Sequence, residues 1–295
     1  MEIDTLALIA FLAFLGLFIL ASRKRLKTQS FLKIFYFCMY RTKLGIKAMD
    51  CIARRHEKLL KRLGYLMIPA CFLGMLVMIE ELVRGLVLLL QKANTITVGV
   101  VLPIQAKGVF YVPFIYWIIS VVFIMLVHEF SHGMLARAHN VRIKSTGFAF
   151  LGAIIPTIPG AFVEIDEKRL AGKSRFAQLS VFAAGPFANI AFGLLFWAVF
   201  LGMQALAGGP DGAGASAGIW ASVLKWLAGL TFWLFALNLG GGLFNLIPLG
   251  PIDGGRMLHI TLEHFVHHRH AKKVWHTVSI VMLTIIAITI ISAFV

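Results

Sequence analysis

Residues 111–138 read YVPFIYWIISVVFIMLVHEFSHGMLARA, and two features of that run decide the fold. Tyr111 to Val127 is apolar over a length that suits a membrane-embedded helix. His128-Glu129-Phe130-Ser131-His132 then closes it. Residues four apart on a helix project about 40° from one another. Both imidazoles can therefore meet one metal ion while Glu129, one step round, faces an attacking water. This arrangement suits splitting an amide bond with water, and it requires a hydrated cavity at membrane depth rather than burial in hydrocarbon.

Composition points the same way. Hydrophobic residues make up 59% of the chain and charged ones 14%, against about 25% charged in soluble domains. The net charge of +15 would ordinarily suggest nucleic acid. However, 13 of the 28 Lys and Arg lie between Arg23 and Arg62, beside apolar spans. Basic residues there mark the cytoplasmic side and meet anionic headgroups, so no nucleic-acid partner is expected. Cys38, Cys51 and Cys71 form no CxxC and no even framework, and no structural disulfide is expected.

Six spans emerge: Thr5–Ala21, Tyr65–Gln91, Tyr111–Ala138, Phe176–Leu206, Trp220–Ile247 and Trp275–Val295. Glu2 and Asp4 precede the first and the basic cluster follows it, which reads as an uncleaved anchor with its N-terminus outside. Residues 22–64, 139–176 and 256–274 then lie inside, and residues 207–219, without Lys or Arg, outside. Within the second span, Glu80 and Arg84 read as an i,i+4 pair beside Glu81. If Arg137 marks the interface, His132 and His128 sit about 7 and 14 Å below it. The segment Gly147–Val163 is apolar but broken by Pro156 and Pro159. It reads as a re-entrant or strand-like loop lining a cavity. The expected fold class is an all-α integral membrane protein of about six transmembrane helices with a short re-entrant or β-like membrane-associated loop. Its expected divisions are 1–110, a two-span region with a basic cytoplasmic segment; 111–256, a catalytic membrane core; and 257–295, a basic, histidine-bearing stretch with the last helix.

A catalytic zinc site needs a third protein ligand and leaves one position open. Residues 245–255 read NLIPLGPIDGG, ending the fifth span at the depth of the histidines. Asp253 is the carboxylate there, and its glycines let the backbone approach a metal, although turn chemistry alone also accounts for Pro-Ile-Asp-Gly-Gly. His259, His264, His267, His268, His270 and His276 alternate with Lys and Arg, and suit a solvated, headgroup-facing helix better than a second metal site. A membrane metal transporter should carry ligands through both leaflets; apart from Glu80 and Glu81, these lie on one side.

Three motifs in order, His128-Glu129-x-x-His132, Gly185-Pro186-x-x-Asn189 and Asn245-x-x-Pro248 to Asp253-Gly254-Gly255, resemble the site-2 protease class of intramembrane zinc metalloproteases. The resemblance covers about Tyr111 to Arg256. It implies that His128, His132 and Asp253 ligate one zinc ion, that Glu129 is the general base, and that Asn245 holds substrate or its oxyanion. Asn189 would hydrogen-bond substrate backbone or a neighbouring helix. The implied substrates are membrane-spanning proteins cut within or near their spans, and the form expected is one without PDZ or CBS modules. A catalytically inactive member acting as a membrane chaperone or adaptor would have lost a ligand or the base; all four residues are present. A substrate helix must unwind before cleavage, and Gly147–Val163 could offer it a strand edge.

Overall fold

The computed structural model describes residues 3–22, 26–31, 35–91, 99–153, 158–206 and 219–294. In chain order these form α1 (Ile3–Ser22), β1 (Leu26–Phe31), β2 (Phe35–Thr42), α2 (Ile46–Arg55), α3 (Glu57–Leu90), β3 (Val100–Leu102), β4 (Val109–Tyr111) and α4 (Phe114–Ala138). Then come β5 (Ile143–Ala153), β6 (Ile158–Ile165), α5 (Glu167–Ala171), α6 (Arg175–Leu206), α7 (Ile219–Phe244), α8 (Asp253–Phe265) and α9 (His268–Phe294). Six of the helices, α1, α3, α4, α6, α7 and α9, are long and apolar enough to cross a membrane, and the chain is a multi-pass membrane protein. Two spans begin earlier than their apolar runs suggest, α3 at Glu57 and α9 at His268. Backbone hydrogen bonding carries a helix past the hydrocarbon edge into the interface, where Lys and Arg are tolerated. The external loop expected at 207–219 lies, up to residue 218, outside the described residues, as does Pro156.

The helix α6 is the hub, packing against α3, α4, α7 and α8. Its buried face is made of small residues, among them Ala177, Ser180, Ala183, Ala184 and Gly185. In a lipid-embedded bundle small side chains let backbones approach closely, which is how packing contacts replace the hydrophobic driving force available in water. The start of α4 is capped from another helix: the Ile115 N–H donates to Asp4 Oδ1 at 3.3 Å. Its last turn is tied to α2 by the Arg137–Asp50 ion pair. Asn140, in the left-handed region at φ 58, then turns the chain toward β5.

The expected strand-like loop is the antiparallel pair β5–β6, but the sheet is larger. The hairpin β1–β2 joins it, giving the order β1-β2-β5-β6 with every neighbour antiparallel. The sequence reading left residues 26–42 as basic cytoplasmic chain and did not anticipate these strands, nor the short parallel pair β3–β4. In α3, Arg84 pairs with Glu81 at 2.5 Å rather than with Glu80 as the i,i+4 spacing suggested. Spacings of three and four are equally good neighbours on a helix, so spacing alone did not separate them.

Candidate metal centre and active site

The two imidazoles of α4 are 9% and 7% exposed, His128 and His132 respectively, and their Nε2 atoms lie 3.1 Å apart. Asp253, the first residue of α8, brings Oδ2 to 3.0 Å from His128 Nε2 and 3.2 Å from His132 Nε2. Close backbone packing makes this convergence possible. A Cβ on Gly185 would come 2.7 Å from His128 Cε1, so α6 presses directly on the rings. A Cβ on Gly255 would come 2.8 Å from the Gly250 carbonyl oxygen, so the start of α8 folds back onto the end of the preceding loop. The Asn245 carbonyl accepts from the Gly254 N–H at 2.8 Å, locking the loop that carries Asp253.

The outer nitrogens of both rings are engaged. His132 Nδ1 lies 2.6 Å from the Val181 carbonyl oxygen, which can only accept, so this nitrogen carries the proton and Nε2 presents its lone pair. His128 Nδ1 faces the Asn189 side-chain amide at 3.2 Å. Asn189 is fully buried and its Oδ1 has no hydrogen-bond partner. The two ends of a carboxamide are nearly identical in outline. With the oxygen toward the ring, Oδ1 accepts from His128 Nδ1–H and the outer nitrogen of the ring is satisfied. The three inward atoms then carry lone pairs with no proton to share, and two imidazole nitrogens with one carboxylate oxygen suit a divalent cation such as zinc. Among the described residues this is the one cluster of three such side chains close enough to hold a metal.

Glu129 points beside the cluster, its Oε2 accepting from the Val163 N–H of β6 at 2.8 Å. A cavity of about 680 Å³ opens over it, lined by His128, Glu129, His132, Asn245 and Asp253, and on the far side by Arg41, Lys144, Glu164 and Arg256. Asn245 is half-buried on this wall, its Nδ2 donating to the Gly241 carbonyl at 3.0 Å. Asn189 does not line the cavity; it stands behind His128 and contacts a neighbouring helix. On the sheet side Ser145 Oγ donates to Glu164 at 2.7 Å and Arg41 Nε at 3.1 Å, and this hydroxyl and guanidinium hold the Glu164 carboxyl below its ordinary range.

Sequence reasoning missed the Val181 carbonyl and the Val163 N–H because main-chain groups leave no mark in residue type. It missed Arg41 and Glu164 because the strand pairing that brings them together spans more than a hundred residues. In the histidine tract, Glu263 lies between His268 and His259, and Arg175 Nη1 reaches His264 Nδ1 at 2.7 Å.

Comparison with known proteins agrees with this geometry. The uncharacterized protein MJ0971 of Methanocaldococcus jannaschii is 30% identical over 156 residues, 52% of this chain and 40% of that protein. The "Putative zinc metalloprotease Rip3" of Mycobacterium tuberculosis is 25% identical over 194 residues, 64% of this chain and 41% of its own length. The chain thus spans about two fifths of these relatives. Residues 116–288, which contain the whole donor cluster, match the sequence profile of peptidase family M50, and the chain belongs to that family, the site-2 proteases.

Proposed function

We propose that this chain is an intramembrane zinc metalloprotease that hydrolyses peptide bonds within or near the spans of membrane proteins. The observation that carries the reading is the convergence of His128 and His132, on a helix long and apolar enough to cross a membrane, with Asp253 at the start of α8, within 3.2 Å of one another beside Glu129. His128, His132 and Asp253 would hold one zinc ion per chain. When bound, zinc supplies a Lewis acid for a peptide carbonyl and for water. Glu129 takes a proton from water as its oxygen attacks the carbonyl carbon, and returns it to the leaving nitrogen. Asn245 turns its amide toward the oxyanion. Asn189 fixes the tautomer and tilt of His128, and Val181 does the same for His132.

Substrate presentation falls to the sheet. A helical peptide bond is wrapped by side chains, and unwinding it in lipid strands polar groups at several kcal/mol each. The strand β6 is at the edge of the sheet beside the cavity, and its Val163 N–H points outward. An unwound segment pairing there takes over that N–H, which releases Glu129 Oε2 for proton transfer. Charge bias puts the N-terminus outside and the site toward the cytoplasm. The test is cleavage of a reconstituted single-span peptide by zinc-loaded protein, with Glu129→Gln as the folded, zinc-bearing control. Equal cleavage by the control would refute the assignment.

A further inference from the structure

The site uses both faces of the sheet. Partners in the register β2–β5–β6 put Tyr40, Phe148 and Ala161 on one face, continued by Thr42, Thr146 and Val163. Arg41, Gly147 and Phe162 fall on the other, and with Met39 and Glu164 this second face looks into the polar cavity. The first face closes a separate apolar pocket against α2 and α4, about 120 Å³ in volume, with Leu44, Met49, Leu126, Phe130, Phe148 and Ala161 among its walls. Glu129, Phe162 and Val163 line both spaces, so the partition between polar cavity and apolar pocket is the sheet edge itself.

That edge has a fixed periodicity. The outward N–H of Val163 implies an outward N–H two residues back, at Ala161, because alternate residues of a strand point their hydrogen-bonding groups the same way. A segment added along β6 places successive side chains on opposite faces of the sheet. One side chain therefore enters the polar cavity and its neighbour the apolar pocket, with Glu129 between them.

We propose that this pocket is a substrate subsite taking one branched aliphatic side chain, leucine or isoleucine, directly beside the scissile bond. The proposal rests on the proteolytic reading above. Size limits the occupant: an apolar cavity of roughly 150 Å³ accepts a benzene-sized group, so 120 Å³ fits one such side chain and excludes an indole. Polarity limits it further. The pocket's two hydroxyls are already engaged, Thr42 Oγ1 with Thr146 Oγ1 at 3.1 Å and Thr146 Oγ1 with the Leu44 carbonyl at 2.7 Å. An acidic side chain would be buried there beside Glu129 without a partner.

The test uses the full chain, zinc-loaded, in lipid nanodiscs. Synthetic single-span peptides carry a helix-weakening Asn-Pro pair in their cytoplasmic half, and each neighbouring position is set in turn to Leu, Ala, Phe or Asp. Cleavage rate is one readout, and binding to Glu129→Gln by fluorescence anisotropy is the other. At one position Leu should exceed Ala by about tenfold or more in both. Ala161→Leu fills the pocket and should abolish or invert that preference, leaving neighbouring positions, zinc content and melting temperature unchanged. Leu126→Ala widens it and should let Phe in; this variant decides the matter if Ala161→Leu does not fold. A preference unchanged in the folded variants overturns the proposal. Peptides cleaved without positional preference sink the subsite and keep the protease. Peptides bound with the preference but never cleaved sink the protease and keep the subsite, and peptides neither cleaved nor selectively bound sink both.

Discussion

The donor cluster and the β6 edge lie on either side of Glu129 and are built on opposite principles. In the cluster each imidazole is held by the geometry of α4 and by a partner on α6, and Asp253 by the start of α8, where Gly254 and Gly255 pack on the backbone of the preceding loop. Beyond its ladder with β5 and its packing on α4, the edge has one backbone contact to Glu129 and the Arg41–Glu164 pair, whose side chains are 38% and 35% exposed. Such exposed pairs contribute about 0–1 kcal/mol. The comparison separates two tasks. A metal site gains from being rigid before anything binds, whereas a strand edge that receives substrate has to leave its hydrogen bonds available.

The largest effects should come from breaking the rigid half. His128→Ala and Asp253→Ala should reduce zinc from about one per chain to near zero by elemental analysis, since two remaining ligands hold the ion poorly. Glu129→Gln should keep its zinc and lose about 10²–10⁴-fold in cleavage rate, the range of a general base. Full zinc occupancy in Asp253→Ala would remove that residue from the ligand set.

The next effect separates a ligand from its support. Asn189→Leu leaves all three donor atoms in place but strips the hydrogen bond from His128 Nδ1. We expect zinc to be lost about 10–100 times more readily to a competing chelator, with Asn189→Asp restoring or exceeding the parent affinity. A substrate-binding role predicts a raised KM with unchanged zinc affinity instead.

Breaking the open half should leave zinc untouched. Ala161→Pro deletes one outward donor of β6 without removing a β5–β6 bond, and proline is tolerated at an edge. Cleavage should slow several-fold for well-wound substrate helices and less for those carrying Gly, Pro, Asn or Ser. Proline at Phe150 is a different experiment, because β5 is paired there with both β2 and β6, and proline breaks the sheet; Ala153 pairs with Phe35 of β2 alone among the described residues. Equal cleavage by Ala161→Pro of an all-Leu helix and a weakened one would end the strand-pairing account.

The same contrast governs what could be read from sequence. His128, Glu129 and His132 were legible because i,i+4 spacing is local geometry, and the long apolar runs marked the six spans for the same reason. Depth along the span made Asp253 a candidate, but turn chemistry explained it equally well and only the resemblance implied a ligand. The pairing of residues 35–42 with 146–153 was not legible, since a register set between segments a hundred residues apart leaves no local period, and the basic residues around 26–42 looked like cytoplasmic chain. Asn189 was visible as a polar residue in an apolar span, but its target depended on how α6 rotates against α4.

The smallest expected effect lies at Glu164, and it tests whether the edge is as loosely held as its contacts suggest. Ser145 and Arg41 favour the ionised carboxyl, so its folded pKa lies below the ordinary 4.5. A group depressed in this way stabilises the fold fully above its unfolded value and loses that contribution as pH falls through the folded one. Near neutrality Glu164→Gln should therefore change the melting temperature little, within the range of an exposed ion pair, and cleavage by less than about threefold. As pH falls through that folded value the parent should lose protection from amide hydrogen exchange along residues 158–165, whereas Glu164→Gln should show no such step. Acid also strips zinc from histidine ligands, but it does so in both proteins, so the difference between them isolates the carboxylate. If both lost edge protection equally, the Arg41–Glu164 pair would be incidental and the Val163–Glu129 contact alone would hold β6 against the site.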